Sequence, residues 1–233
     1  MKAYKTLLFD VDDTLLDFGA AERMALSLLC SEHGLALDEE LHFRYKEING
    51  SLWRAFEEGK LSRDEVVNTR YSLLFKEYGR EVDGVAVEAQ YRKLLEQGHD
   101  EVKGALALIT ALEPRYDLFI VTNGVSATQH KRLQASGLFP MFRNVFVSED
   151  TGFQKPMKAF FDYVFERIPG FVPDEALIIG DSLSADIKGG QNAGLDTCWF
   201  NPGGKPAGSG IVPTYVIREL DELYPLLGVD KPF

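Results

Sequence analysis

Cysteine is scarce in this chain. Cys30 and Cys198 are the only two among 233 residues, and they form neither a CxxC pair nor a metal-ligand spacing. This excludes a disulfide-stapled secreted fold and a cysteine-based zinc site, so we expect two reduced structural thiols and a cytoplasmic location. Long apolar runs are also missing, and none approaches the roughly 18 residues that a membrane-spanning helix needs. We therefore expect neither export nor membrane insertion.

Basic residues are outnumbered by acidic ones. Lys and Arg total 25 against 36 Asp and Glu, which gives a net charge of -11. A negative potential repels polyanions at long range, so nucleic-acid polymers are not expected partners. A small phosphorylated metabolite remains possible if a cation or a local lysine offsets the charge. With 45% hydrophobic residues, the chain can also supply a sizeable core.

A short apolar run near the start delivers two carboxylates to the expected end of a strand. The segment from Tyr4 to Phe9 is apolar and is followed directly by Asp10 and Asp12. Such a run, closed by acids, is typical of a buried parallel strand rather than of a helix. Carboxylates gathered at that point favour a cation.

Strand-like and helical segments alternate from residue 102 onward. The predicted strands lie at 118–121, 145–147, 177–179, 197–200 and 215–217, and the predicted helices at 105–112, 127–136, 157–167 and 185–193. This alternation predicts parallel βαβ units in a doubly wound, Rossmann-like α/β sheet. The first predicted strand, at Tyr4 to Phe9, is expected to pair within the same sheet.

The segment between these two parts contains helical spacing and no convincing strand. Ser62 and Glu65 form a capping box that opens one of its helices. We expect an α/β core of residues 1–16 and 98–233, with residues 17–97 inserted as an all-helical cap domain. Within the core, Gly189 and Gly190 lie in a predicted helix and indicate close backbone packing.

Polar groups follow three of the predicted strands. They are Asp10, the segment Thr122-Asn123-Gly124, and Asp181. In open α/β sheets, ligands bind outside the carboxyl ends of the strands, so these groups should face one crevice. Lys155 joins them, because Pro156 is expected at the first position of a helix whose amino end points to the same side.

This mixture of side chains suits phosphate chemistry. Carboxylate oxygens are ligands of Mg²⁺, while a threonine hydroxyl, backbone amides and a lysine are donors to a phosphoryl group. With a cation screening the repulsion, Asp10 could attack phosphorus and form an acyl phosphate. Asp12 is placed to protonate the leaving oxygen and then to activate water.

Four segments together resemble the motifs of the haloacid dehalogenase superfamily, and the inserted segment resembles its helical cap. They are Asp10-Val11-Asp12-Asp13-Thr14, Thr122-Asn123-Gly124, Lys155-Pro156 and the run from Gly180 to Asp186. The resemblance implies a magnesium-dependent phosphatase with Asp10 as nucleophile and Asp12 as acid/base. It further implies phosphate binding by Thr122, Asn123 and Lys155. The metal ligands would be Asp10, Asp181 and the main-chain carbonyl of Asp12.

Asp12, the second acid of the first motif, narrows the range of activities that the resemblance implies. Dehalogenases lack the acid found here at Asp12, so phosphate ester hydrolysis or phosphoryl transfer is favoured. Segments around 121–124, 147–156 and 194–201 are similar to the pyrimidine 5'-nucleotidase subgroup, which predicts a nucleoside monophosphate as substrate. A sugar phosphatase or phosphomutase stays open as an alternative. A phosphoacceptor signalling domain is disfavoured, because it would need no eighty-residue insertion.

Some roles stay open at this level. Asp186 is expected to support the metal site or Lys155, and its spacing leaves direct ligation possible. In the cap, Asn49, Trp53 and Arg70 are the candidate substrate contacts, because an aromatic face and a fork of donors suit a base and its sugar. Packing is the alternative reading of Trp53.

Overall fold

The computed structural model describes residues 2–207 and 210–232, and the chain divides into two compact units. The core comprises Met1–Phe18 and His99–Phe233, and the cap comprises Gly19–Gly98. The sequence analysis predicted these divisions between residues 16 and 17 and between residues 97 and 98. Among the described residues, no helix combines the length and apolar character needed to cross a membrane.

The core is built on a six-stranded sheet. Its strands are β1 (Thr6–Phe9), β2 (Asp117–Thr122), β3 (Asn144–Val147), β4 (Ala176–Gly180), β5 (Asp196–Phe200) and β6 (Tyr215–Ile217). They lie in the order β3-β2-β1-β4-β5-β6, and every pairing is parallel. The predicted doubly wound α/β fold is therefore confirmed, with β1 in the middle of the sheet.

Ten α-helices are found in the described residues. Those of the cap are α1 (Phe18–Glu32), α2 (Glu39–Glu57), α3 (Arg63–Glu77) and α4 (Gly84–Leu95). Those of the core are α5 (Ala105–Leu112), α6 (Ser126–Ala135), α7 (Ser148–Thr151), α8 (Lys158–Glu166), α9 (Lys188–Asn192) and α10 (Leu223–Leu227). The cap, described throughout, contains no strand, and its predicted capping box joins Glu65 N to Ser62 Oγ at 3.2 Å.

Both faces of the sheet are covered, and β1 shows how. Leu7 and Phe9 point to a cluster that includes α5 and α10, whereas Leu8 points to a second cluster that includes Phe160 and Phe161 of α8. All three β1 side chains are fully buried. Because neighbouring strand residues face opposite sides, a buried parallel strand is apolar at every position. The polar groups are therefore left to the strand ends.

Helix α9 lies very close to the sheet. A Cβ atom at Gly190 would stand 2.5 Å from Ile178 Cγ2, and one at Gly189 would stand 2.8 Å from a ring carbon of Phe161. Both glycines are therefore required by packing, as the sequence predicts. The predicted helix at 185–193 differs in one respect, because its first part is a π-helical turn at Leu183–Ile187.

The sequence prediction that Pro156 opens a helix is wrong. Helix α8 begins at Lys158, with Met157 as its N-cap residue. Pro156 follows a cis peptide bond and lies in a turn in which Met157 N donates to Gln154 O at 2.8 Å. The chain turns once more before the helix can start.

The two points at which the chain leaves and re-enters the core are tied to each other. Asp17 N donates to Asp100 O, and Val102 N donates to Leu15 O, each at 2.9 Å. Between these bonds, Leu16 forms an antiparallel bridge with Glu101. A short two-stranded stem therefore closes the core where the inserted segment begins and ends.

Candidate active site

Three neighbouring strands bring their polar ends to one edge of the sheet. Phe9 at the end of β1 pairs with Ile120 of β2 and Ile179 of β4. Asp10 continues this ladder, since its N–H donates to Ile179 O at 2.9 Å. Asp10 is buried, and Thr122 at the end of β2 is fully enclosed. The parallel register thus places the predicted groups side by side.

Lys155 lies at the centre of the site. Its ammonium donates to Asp10 Oδ1 at 2.7 Å, to Asp186 Oδ1 at 2.6 Å and to the carbonyl oxygen of Val121 at 2.7 Å. These three bonds use all three ammonium hydrogens in a position that is only 1% exposed. Burial lowers the pKa of Lys155, but the charges of Asp10 and Asp186 raise it above its usual value. The lysine is therefore a fixed cation that orients Asp10.

A third acid, Asp181, lies close to the two carboxylates that bind this lysine. Oxygen atoms of Asp10, Asp181 and Asp186 all lie within 4.8 Å of one another. Burial raises the pKa of Asp10 to about 7, although Lys155 opposes the rise. Burial, and after it the charge of Asp10, raises the pKa of Asp181 to about 8. The cluster holds more negative charge than one lysine offsets, and hard oxygen ligands of this kind fit a divalent cation such as Mg²⁺.

The turn after β4 fixes Asp186. Its Oδ2 accepts from Ser182 N at 3.0 Å, while its other oxygen accepts from Lys155. Gly180 makes room for this carboxylate, because a Cβ atom there would stand 2.2 Å from Asp186 Oδ2. With one bond on each oxygen, the side chain is arranged to support Lys155. Direct metal ligation by Asp186 stays an open prediction.

Asp181 is positioned through its main chain. Its N–H donates to Thr14 Oγ1 at 3.1 Å, and its carbonyl oxygen accepts from Trp199 Nε1 at 2.8 Å. Thr14 is fully buried and Trp199 nearly so. Both partners come from segments next to β4, so the carboxylate of Asp181 extends from a rigid backbone.

The side chain of Asn123 is hydrogen-bonded to the main chain of Lys155. Its Nδ2 donates to Lys155 O at 2.8 Å, and its Oδ1 accepts from Lys155 N at 2.9 Å. The preceding Thr122 accepts a hydrogen bond from Gly124 N at 3.2 Å. The sequence predicts Asn123 in phosphate binding, and the structure adds that its amide secures the lysine.

Asp12 is held by two residues that the sequence analysis did not single out. Arg132 Nη1 donates to Asp12 Oδ1, and Gln129 Nε2 donates to Asp12 Oδ2 at 2.9 Å. Both donors lie on α6 and are almost completely buried. The only sequence signal is their spacing of three residues in the helix that follows Thr122-Asn123-Gly124, which puts them on one helix face.

The cap candidates belong to a buried polar cluster within the cap. Arg70 is 1% exposed and donates to Glu88 Oε2 through Nε and Nη2, at 3.1 and 2.7 Å. Asn49 Oδ1 accepts from both Arg70 Nη1 and Trp53 Nε1 at 3.1 Å. The guanidinium also lies 4.8 Å from the ring centres of two tyrosines, Tyr71 and Tyr91. These contacts link all three candidates, whose contact with substrate stays a prediction.

Comparisons with known proteins agree with this arrangement. A sequence model for the family described as haloacid dehalogenase-like hydrolase matches residues 4–194. Pyrimidine 5'-nucleotidase PynA of Streptococcus pneumoniae is 44% identical over 221 residues, covering 94% of this chain and 93% of that protein. Pyrimidine 5'-nucleotidase YjjG of Escherichia coli is 31% identical over 221 residues, covering 95% and 96%.

A solved structure with high sequence identity matches 97% of this chain. It is that of a Bacillus subtilis protein named as a HAD-hydrolase, YfnB, bound to magnesium. The two chains share 63% identity and a TM-score of 0.93, covering 97% of this chain and 99% of the other. These matches confirm the superfamily resemblance predicted from the four motifs and the subgroup resemblance predicted from the segments around 121–124, 147–156 and 194–201.

Proposed function

Because the chain belongs to the haloacid dehalogenase-like hydrolase family and is a phosphatase of that family, we propose that it hydrolyses nucleoside 5'-monophosphates with Mg²⁺ through an aspartyl phosphate on Asp10. One observation carries the proposal. A buried carboxylate, Asp10, is oriented by Lys155 at 2.7 Å beside two further acids, Asp181 and Asp186. That is the arrangement a covalent phosphoryl acceptor needs.

Mg²⁺ would be held by Asp10, Asp181 and the main-chain carbonyl of Asp12. The raised pKa values of Asp10 and Asp181, about 7 and about 8, support this assignment, because a cation relieves the same repulsion that protons relieve. The related YfnB structure contains magnesium. When bound, Mg²⁺ would supply positive charge that lets an anionic nucleophile approach an anionic phosphate.

The chain's own residues then carry the reaction in two steps. Asp10 attacks phosphorus, the bond from phosphorus to the ester oxygen breaks, and Asp12 gives its proton to that oxygen, which leaves as the alcohol. In the second step Asp12 takes a proton from water as the water attacks the acyl phosphate, which releases inorganic phosphate and restores Asp10. Thr122, the main-chain amide of Asn123 and Lys155 would bind the phosphoryl oxygens.

The choice of substrate rests on two relatives. PynA and YjjG are both named pyrimidine 5'-nucleotidases and match this chain over more than nine tenths of its length. In the cap, we keep Asn49 and Trp53 as candidate contacts to the nucleoside. Arg70 would act through its hydrogen bond to Asn49, since its charge is already paired with Glu88.

A substrate panel tests the proposal. The purified full chain should hydrolyse pyrimidine nucleoside 5'-monophosphates with a higher kcat/KM than hexose phosphates, and EDTA should abolish turnover until Mg²⁺ is restored. If hexose phosphates were hydrolysed equally fast or faster, the proposed nucleotidase activity would be wrong and the protein would be a sugar phosphatase. Conversion of one hexose phosphate into its isomer would identify a phosphomutase. The two free, buried cysteines support a reducing, cytoplasmic location as part of the same proposal.

A further inference from the structure

Helix α6 presents two buried polar side chains to the carboxylate of Asp12. Arg132 has no exposed surface and Gln129 is 2% exposed. Each of them donates to a different oxygen of Asp12. Because each carboxylate oxygen of Asp12 accepts one of these hydrogen bonds, the orientation of the side chain is fixed.

Gln129 connects this carboxylate to the predicted phosphate-binding hydroxyl. Its Nε2 donates to Asp12 Oδ2 at 2.9 Å and to Thr122 Oγ1 at 3.0 Å. Its Oε1 accepts from Arg132 Nη1 at 3.2 Å. Both amide hydrogens and the amide oxygen are therefore engaged, and the side chain has one favourable orientation.

These bonds also determine what Thr122 can do. Its Oγ1 accepts from Gly124 N at 3.2 Å and from Gln129 Nε2 at 3.0 Å. A hydroxyl oxygen has two acceptor positions and one hydrogen. With both acceptor positions filled, the hydrogen of Thr122 is left to donate, which is what binding a phosphoryl oxygen requires.

The backbone is shaped to admit Gln129. A Cβ atom at Gly124 would stand 2.6 Å from Gln129 Cγ and 2.7 Å from its Nε2. The glycine that follows Thr122 and Asn123 therefore leaves room for the amide that reaches Thr122. Arg132 is further enclosed by the Phe18 ring, whose centre lies 5.5 Å from the guanidinium carbon.

A purely stabilising role explains this arrangement poorly. Burying an arginine carries a large desolvation cost, and proteins in which a buried ion pair is replaced by apolar residues are often as stable. Here the partner is the partly exposed carboxylate of Asp12, which the proposed reaction uses as acid and base. We propose that Arg132 and Gln129 are positioning residues, which aim Asp12 at the ester oxygen and turn the Thr122 hydroxyl toward the phosphate. This inference rests on the proposed function.

The basicity of the leaving group distinguishes a variant in which Asp12 is misplaced from one in which the whole active site is disturbed. An alkyl phosphate, such as a nucleoside 5'-monophosphate, releases a strongly basic alkoxide and needs the proton of Asp12. The nitrophenolate released from p-nitrophenyl phosphate is a weak base and needs it little. Because kcat/KM covers only the steps through leaving-group departure, the ratio of kcat/KM for the two esters reports on Asp12 as an acid.

The variants are Arg132→Met, Arg132→Lys and Gln129→Met, assayed with Mg²⁺. Lys131→Met is the matched control, since Lys131 is its exposed neighbour on the same helix. Arg132→Met should lower kcat/KM for the nucleoside monophosphate by about 10- to 100-fold and for p-nitrophenyl phosphate by less than about 3-fold. Arg132→Lys should recover part of the loss. Gln129→Met should also raise the inhibition constant of inorganic phosphate, which Arg132→Met should leave nearly unchanged.

For the two Arg132 variants, equal losses on both esters, or no loss on either, would overturn the positioning of Asp12. For Gln129→Met, an unchanged inhibition constant of inorganic phosphate would overturn the orientation of the Thr122 hydroxyl. Circular dichroism and thermal unfolding check that each variant is folded, and if Arg132→Met is not, Arg132→Lys and Gln129→Met decide the matter. Failure of the proposed function has a different signature. In that case the wild-type chain itself would turn over neither ester, or Asp10→Asn would remain active on both.

Discussion

The side-chain amide of Asn123 is hydrogen-bonded to both the N–H and the carbonyl oxygen of Lys155, at 2.9 and 2.8 Å. These residues are 32 positions apart in the chain. The pair joins the segment after β2 to the segment that precedes α8. Lys155 is thus secured twice, once through its main chain and once through its ammonium.

Replacement of Asn123 by alanine tests this arrangement. Asn123→Ala should lower kcat by roughly tenfold or more, because the ammonium of Lys155 would no longer be held in register with Asp10. It should also cost about 1–3 kcal/mol of unfolding free energy, since two main-chain groups lose their partners. Steady-state kinetics and urea denaturation measure the two effects. Asn144→Ala, the same change at an exposed position of the core, should show neither, and a fully active Asn123→Ala enzyme would refute the argument.

The two acids of the first motif should differ in their effects. Asp10→Asn should abolish turnover with little change in thermal unfolding, because the amide cannot form the acyl phosphate. Asp12→Asn should lower kcat by roughly 10² or more. Mass spectrometry must exclude deamidation back to aspartate in the Asp10→Asn sample. Near-native kcat in that verified sample would rule out Asp10 as the nucleophile.

The acid cluster should make the metal-free protein less stable as pH rises. The folded-state pKa values of Asp10 and Asp181, about 7 and about 8, lie above those of the unfolded chain, so the folded state binds these protons more tightly. Their contribution to stability is therefore full below about pH 4 and is lost as pH rises to about 8. In EDTA, the Tm of the wild type should therefore fall relative to the Tm of Asp181→Asn as the pH rises over this range.

Mg²⁺ should reverse this trend. Because the cation competes with the protons on these carboxyls, the increase in Tm on adding Mg²⁺ should be larger near pH 8 than near pH 5. Asp181→Asn should reduce the increase at both values. If the increase in Tm were independent of pH, or equal in Asp181→Asn, Mg²⁺ would not bind at this acid cluster.

The buried Arg70 of the cap gives a prediction about stability. Removing one partner of a buried ion pair is costly, so Arg70→Met should lower the unfolding free energy by about 3 kcal/mol. The double variant Arg70→Met with Glu88→Met should cost less than the sum of the single changes. Lys76→Met, at an exposed position of the same helix, serves as the control in chemical denaturation. Additive losses would show that Arg70 and Glu88 do not stabilise each other.

The sheet and the central acids were predictable for a common physical reason. A parallel strand buried on both faces is an apolar run, and its end is marked by the first polar residue, as at Asp10 and Asp181. The last strand, Tyr215–Ile217, was predicted at its observed bounds. Since parallel strands end at one edge, their polar termini converge without any knowledge of side-chain geometry.

The residues that hold these acids were not predictable in the same way. Gln129 and Arg132 are polar residues in the middle of a helix, and such residues usually face solvent. Arg70 finds Glu88 eighteen positions away across two helices, a pairing that no local pattern contains. Pro156 was misplaced because a proline before a helix fits both the first helical position and the preceding turn.

The stem formed by Leu15 to Asp17 and Asp100 to Val102 has an evolutionary consequence. Because the two crossing points are paired within the core itself, each sheet strand keeps its neighbours whatever length of chain is spliced between Phe18 and His99. Recombination at these two positions could exchange one inserted segment for another while the strands that carry the candidate site stay paired. Laboratory grafting of foreign inserts has its natural junctions at the same two places.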